Sequence, residues 1–322
     1  MSESVPPQPD VRPAHGPPEE ASAPRPRARV LTVSSNKGGV GKTTVASNLA
    51  VYVRALREDL PVLVVGLDDQ GTLDRMFALR PPTPADGNLK HVFAERSFDR
   101  VAQLGEYGVH FVPSPPDLPS LKARAEDPGV LSRIVARSHW NGLVIFDTKS
   151  DLEALTHNAL VAADLVLIPV ADWASLEEAA KTMALLTREK RASRGRILLT
   201  LADARTRIDE QGHDLRGRLE QEIDRRGYRR CTTFLSRSPR VEALNSGTGR
   251  PLSILHHAQG TNVHRQMRAL ADEVLLELGL ADASPAREEA RRAPRRAAPG
   301  RTSAAGEGFD WKQTLLKGLR GW

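Results

Sequence analysis

Ser35-Asn36-Lys37-Gly38-Gly39-Val40-Gly41-Lys42-Thr43-Thr44 carries two lysines where a phosphate-binding loop needs one. It follows the apolar run Val30-Leu31-Thr32-Val33. It leads into Val45, Leu49, Val53 and Leu56, whose spacing predicts a helix from Thr43 to about Leu56. Strand, glycine-rich loop and helix in that order form the pattern G-x-x-x-x-G-K-[ST]. In that pattern backbone N–H groups cradle phosphates, the lysine neutralises them and the hydroxyl meets magnesium. Gly41, Lys42 and Thr43 satisfy its end, whereas Asn36 stands in the place of the first glycine. Asparagine is one of the few side chains that visit left-handed backbone readily. Lys37 is surplus to this scheme and needs its own account.

The loop sits in a chain of 322 residues, long enough for one large α/β domain with tails. Residues 1–28 are rich in Pro, Glu, Ala and Ser, and 281–308 alternate Ala, Pro and Arg. Neither stretch has the apolar surface to offset its ordering entropy, so both read as disordered tails. Residues 29–280 hold the material for a core, and 309–322 form a short amphipathic C-terminal segment. No run of 18 apolar residues occurs, and the N-terminus lacks the apolar stretch of a secretory signal, which predicts a cytoplasmic protein. A single cysteine, Cys231, excludes an internal disulfide and a multi-cysteine metal site within one chain. The net charge of +6 favours anionic partners such as nucleic acid or acidic lipid. Nine basic and five acidic side chains from Ala281 onward carry +4 of it, an excess that a merely solvated tail would also show.

Continuous apolar runs suited to buried parallel strands recur at Val62 to Val65, Val109 to Val112, Leu143 to Phe146, Leu165 to Ile168 and Ile197 to Leu201. A weaker run lies around Thr232 to Leu235. Helical patterns at Leu176 to Leu186, Leu215 to Ile223 and Val263 to Leu278 separate or follow them. Alternation of this kind implies an α/β fold, a single domain with a mostly parallel sheet and helices on both faces. Ligands in such sheets sit beyond the carboxyl ends of the strands. Asp147 ends one run and Asp68 follows another, so two carboxylates fall at the same edge as the loop. Nucleotide hydrolysis needs that arrangement, with one carboxylate organising magnesium and a polar group positioning water.

The stretch K-G-G-V-G-K-T-T resembles the deviant Walker A loop of the ParA/MinD family of dimeric P-loop ATPases. The resemblance implies that Lys37 reaches across a dimer interface to phosphates bound by the partner subunit. It implies that Lys37, Gly38, Gly39, Val40, Gly41, Lys42, Thr43 and Thr44 bind ATP, with magnesium (Mg2+) held by Thr43, Asp68 and Asp147. Asp147 is the natural Walker B aspartate. Val64-Val65-Gly66-Leu67-Asp68-Asp69-Gln70-Gly71 resembles the switch I pattern V-D-x-D-P-Q-G, whose second aspartate, here Asp68, activates water. Gly66 replaces the first aspartate and Asp69 the proline, and Thr148-Lys149-Ser150 replace the small residues and prolines usual after Walker B. Lys149 is either a solvated loop lysine or a phosphate or interface contact.

The resemblance runs from about 29 to 280. Ala163 to Val170 is similar to the strand leading to the dimer-facing helix, and Ala202-Asp203-Ala204-Arg205-Thr206-Arg207 to the segment after the next strand. Leu235 to Ala243 is similar to a stretch near adenine, which nominates Pro239 as a nucleotide contact. The implied function is an ATPase, slow and partner-stimulated, that closes as an ATP-dependent homodimer. It would bind double-stranded DNA non-specifically, associate with the nucleoid and position DNA or protein cargo with a ParB-like or other stimulating partner. Arg237, Arg240, Arg250, Arg265 and Arg268 are the candidate DNA contacts, each readable also as an ordinary surface arginine. Phe309, Trp311, Leu315, Leu316, Leu319 and Trp322 fall largely on one helical face. That segment is similar to the membrane-targeting tail of MinD-type relatives; a peptide docking in a partner's groove and a functionless tail account for it equally. Departures at Gly66 and Lys149 also keep open an ATP-binding dimeric scaffold with little turnover.

Overall fold

The computed structural model describes residues 27–281 except 69, 82, 116, 203–213 and 247–248. Residues 1–26 of the tail expected at 1–28, residues 282–308 of the linker expected at 281–308, the segment 309–322 and the run Asp203 to Arg207 lie outside the described residues. Among the described residues seven strands form one sheet in the order β3-β4-β2-β5-β1-β6-β7. They are β1 (Arg29–Val33), β2 (Val62–Leu67), β3 (Gln103–Leu104), β4 (His110–Val112), β5 (Leu143–Thr148), β6 (Leu165–Val170) and β7 (Gly195–Leu199). All neighbours are parallel except β3 and β4. The helices are α1 (Lys42–Leu56), α2 (Thr72–Phe77), α3 (Leu89–Glu95), α4 (Val130–Arg137), α5 (Ala154–Ala162), α6 (Trp173–Arg188), α7 (Leu215–Arg225), α8 (Pro239–Ser246), α9 (Ile254–His257) and α10 (Asn262–Glu277).

Alternation along β1 shows how both faces are filled. Val30 joins the cluster that includes Leu131, Leu160, Leu176 and Leu219 from α4, α5, α6 and α7. Leu31 and Val33 point the other way, into the cluster of Leu49, Val53, Met267 and Val274 from α1 and α10. Thr32 is fully buried between them and loses nothing by it, because its hydroxyl donates to Ala159 O at 2.8 Å. All six residues of β2, β5 and β6 are buried, as strands covered on both faces require.

Two runs behave differently from their patterns. The strand expected at Ile197 to Leu201 is shifted to Gly195–Leu199, because Leu201 adopts φ +53 and turns the chain away from the sheet. The weak run at Thr232 to Leu235 forms no strand. Its segment touches the sheet through two isolated bridges, Ile197 with Arg230 and Ala202 with Ser236. The antiparallel β3 is too short to leave a periodic signal.

Since β1 lies between β5 and β6 while β2 lies beyond β5, the chain crosses over at the carboxyl end of β1. That crossover opens the crevice in which parallel sheets bind ligands.

Candidate nucleotide and metal site

Residues 34–41 occupy the crevice. Ser34 N donates to Leu167 O at 3.0 Å, tying the loop to β6. The Thr200 hydroxyl donates to Val40 O at 2.9 Å in a buried contact, tying it to the end of β7. Gly39 at φ +77 and Gly41 at φ +88 occupy left-handed backbone, and Gly41 caps α1 without a side chain. A β-carbon there would be strained by the backbone conformation alone, and the turn delivers the chain to the helix N-terminus, where orphan N–H groups and the dipole favour an anion.

The two lysines have opposite surroundings. Lys42 is 7% exposed, and its Nζ donates to Lys37 O at 3.1 Å and Ser150 Oγ at 2.5 Å. Burial lowers its pKa, opposed by the nearby carboxylates of Asp147, Asp68 and Asp151. Lys37 is exposed, with Gly38 and Gly39 beside it on the outer rim. Asn36 next to it donates through Nδ2 to Glu178 on α6.

Across the crevice, Gly66 is the register partner of Asp147 and Leu67 of Thr148, which brings the ends of β2 and β5 together. Thr43, Gly66, Asp68, Gln70, Gly71, Thr72, Leu73, Ser114 and Asp147 line one open cleft. Asp147 is 2% exposed, and its Oδ1 has no hydrogen-bond partner. Burial pushes its carboxyl up to about 7; a hydrogen bond from Thr43 opposes this, Asp68 adds to it and Lys42 opposes it. A buried carboxylate oxygen left unpaired is costly unless a cation or donor completes it. Asp68 Oδ1 accepts from Gln70 N at 3.1 Å, an aspartate turn that holds it at the cleft mouth. Two carboxylates and one hydroxyl suit magnesium, which keeps several waters and takes its remaining ligands from phosphate. The residues present therefore fit that ion.

A family model for an AAA domain matches residues 28–191. The chain is 30% identical over 258 residues to the chromosome-partitioning ATPase Soj of Thermus thermophilus, covering 78% of this chain and 97% of the relative. It belongs to the ParA/MinD family of P-loop ATPases. Solved structures with the same fold include a McdA variant from Cyanothece in complex with ATP, at TM-score 0.62 and 16% identity, covering 80% of this chain and 98% of that one. Another is the cobyrinic acid a,c-diamide synthase of Mycobacterium smegmatis with bound ADP and magnesium, at TM-score 0.60 and 22% identity, covering 77% and 94%.

Within this ParA-like fold the sequence-nominated residues divide. Lys42, Thr43, Asp68 and Asp147 converge at one end of the sheet. Pro239 is exposed at the first residue of α8 and is not among the residues lining the cleft. Its segment is nonetheless joined to the site, because Leu235 N donates to Leu199 O and Arg237 N to Ala202 O, either side of Thr200.

The arginines separate too. Arg265 and Arg268 are exposed on α10, Arg237 pairs with Glu242 at 2.9 Å, and Arg240 donates to His257 O at 3.0 Å. Arg250 is likewise exposed, and its guanidinium donates to Met76 O at 2.7 Å and to Glu106 at 2.9 Å, bridging α2 to a neighbouring loop.

Sequence reasoning missed Ser150, Ser114 and Thr200. Each is a polar residue at or just beyond the carboxyl end of a strand, the position that could have drawn attention to it. Among the described residues no helix is long and apolar enough to cross a membrane.

Proposed function

We propose that this chain binds ATP with magnesium, closes as a homodimer around two nucleotides and hydrolyses ATP to position a DNA or protein cargo. The observation that carries this is the contrast between Lys42, buried in the loop's own cradle, and Lys37, exposed on its rim. A lysine that serves its own loop has no reason to face outward; one that serves a second copy must.

In each subunit the Lys42 ammonium and the N–H groups of residues 38–44 would hold the phosphates. Thr43 and Asp147 would hold the metal, and Asp68 would orient the attacking water. When bound, magnesium supplies positive charge to the phosphate oxygens. Loss of the terminal phosphate would remove what Lys37 of each copy holds, so nucleotide state would set subunit association. Turnover is slow until a stimulating partner, ParB-like or otherwise, engages.

The same reading has the closed dimer bind double-stranded DNA without sequence preference and so reside on the nucleoid. Arg265 and Arg268 on α10, with Arg237 and Arg240, supply phosphate contacts whose affinity falls steeply with salt. Arg250 is exposed as well and joins this set, its guanidinium also bonding Met76 O and Glu106. Support comes from the family and from Soj of Thermus thermophilus, described as a chromosome-partitioning ATPase.

Light scattering with ATP, ADP and no nucleotide tests the reading, alongside DNA co-sedimentation at graded salt. Wild type should be dimeric and bind DNA with ATP alone, and Lys37→Ala should do neither while retaining ATP. DNA binding that ignores nucleotide in both proteins would overturn it.

A further inference from the structure

One wall of the metal-side cleft is built from a residue with no side chain. At Gly66 an added β-carbon would lie 3.2 Å from Leu73 Cδ1 and 3.6 Å from Ser114 Oγ, so those two side chains occupy the space a side chain at 66 would enter. Ser114 comes from the loop after β4, the strand neighbouring β2, and its hydroxyl lines the cleft with Thr43, Asp68 and Asp147.

Behind Ser114 stands a carboxylate. Asp74, in the first turn of α2, accepts from Ser114 N at 2.8 Å and lies 3.4 Å from Ser114 Oγ. Its pKa is raised, chiefly by burial and against both Ser114 hydrogen bonds, so the fold keeps a carboxyl where desolvation disfavours its charge. The short backbone bond fixes where Ser114 sits. The longer contact is at most a weak bond, so the lone pairs of the Ser114 hydroxyl remain open to a donor in the cleft.

We infer that the Ser114–Asp74 pair is a positioning device for magnesium hydration in this chain, standing where residue 66 offers no carboxylate. Ser114 Oγ accepts a hydrogen bond from water in the metal's shell, and Asp74 orients it from behind. Partners of this outer kind are typically worth about 10–100-fold in metal affinity. The inference rests on the magnesium-nucleotide reading proposed above, and deepens it.

The test is Mn2+ titration followed by electron paramagnetic resonance, with a non-hydrolysable ATP analogue present, on wild type, Ser114→Ala, Ser114→Thr and Asp74→Asn. Ser114→Ala keeps the backbone bond to Asp74 and so preserves the loop; it is the deciding variant. It should bind Mn2+ about tenfold more weakly, Asp74→Asn should be weakened in the same sense, and Ser114→Thr should stay near wild type. Thermal melting without metal should leave Ser114→Ala close to wild type, separating this role from a structural one. If Ser114→Ala binds Mn2+ within about twofold of wild type, below the range such partners command, the inference fails while nucleotide binding stands. If wild type itself shows no Mn2+-dependent nucleotide binding, the proposed function fails first.

Discussion

The loop after β1 and the segment after β2 meet at the same crevice, but they are held very differently. Residues 34–41 are tied to β6 through Ser34, to β7 through Thr200 and to the loop after β5 through Lys42 and Ser150. Residues 66–73 open on a glycine, turn on Asp68 and Gln70 and line a solvent-facing cleft. A loop fixed from three sides is preorganised to bind, while a segment that lines an open cleft can adjust to what enters it. On the proposed function, the contrast assigns affinity to the first region and turnover to the second.

The largest expected effect breaks the first region alone. Lys42→Ala removes a buried cation from the phosphate cradle and should weaken ATP binding by about 100-fold or more, read by calorimetry. Next comes the second region. If Asp68 positions water as proposed, Asp68→Ala should lower phosphate release by about 100-fold with ATP affinity changed less than about threefold, because such a group acts on the transition state. If affinity collapses as well, the two regions are not separable.

Proton competition gives a third test, at the point where the regions touch. Asp147 has a folded pKa of about 7 against an ordinary 3.8, raised by burial and Asp68 and lowered by Thr43 and Lys42. Between those values the folded chain holds a proton that the unfolded chain has released, so this group alone lowers stability as pH rises through the window. A metal must displace that proton. Apparent magnesium affinity in the nucleotide complex should therefore fall by up to about tenfold per pH unit below 7 and level off above it. The smallest effect is on the tether. Thr200→Val leaves Val40 O without its donor and should cost about 1–3 kcal/mol in urea unfolding, with a few-fold loss of nucleotide affinity.

The first region was legible in the sequence because its chemistry is contiguous. Val30 to Thr44 spells strand, loop, lysine and hydroxyl in order, and Asp147 announces itself by ending an apolar run. The second region was legible only in its backbone half, Gly66 to Gly71. Its other half is Ser114, 40 residues from the Asp74 that orients it, and nothing local couples them. The bond from Arg250 to the Met76 carbonyl, 174 residues away, is likewise not readable from the local sequence. The run at Thr232 to Leu235 failed because apolar character predicts burial, whereas the hydrogen bonds of a full ladder depend on where β7 ends.

That ending has a counterpart at the far side of the sheet. There β3 closes the array with two antiparallel residues, and beside β7 the segment around Arg230 runs parallel to the strand, bridging it at Ile197 and the chain just after it at Ala202. Among the described residues neither margin offers a long regular strand edge, the template for runaway strand addition. Molecules crowded together on a common scaffold could thus meet repeatedly through their side-chain surfaces and part again, without nucleating fibrous aggregates.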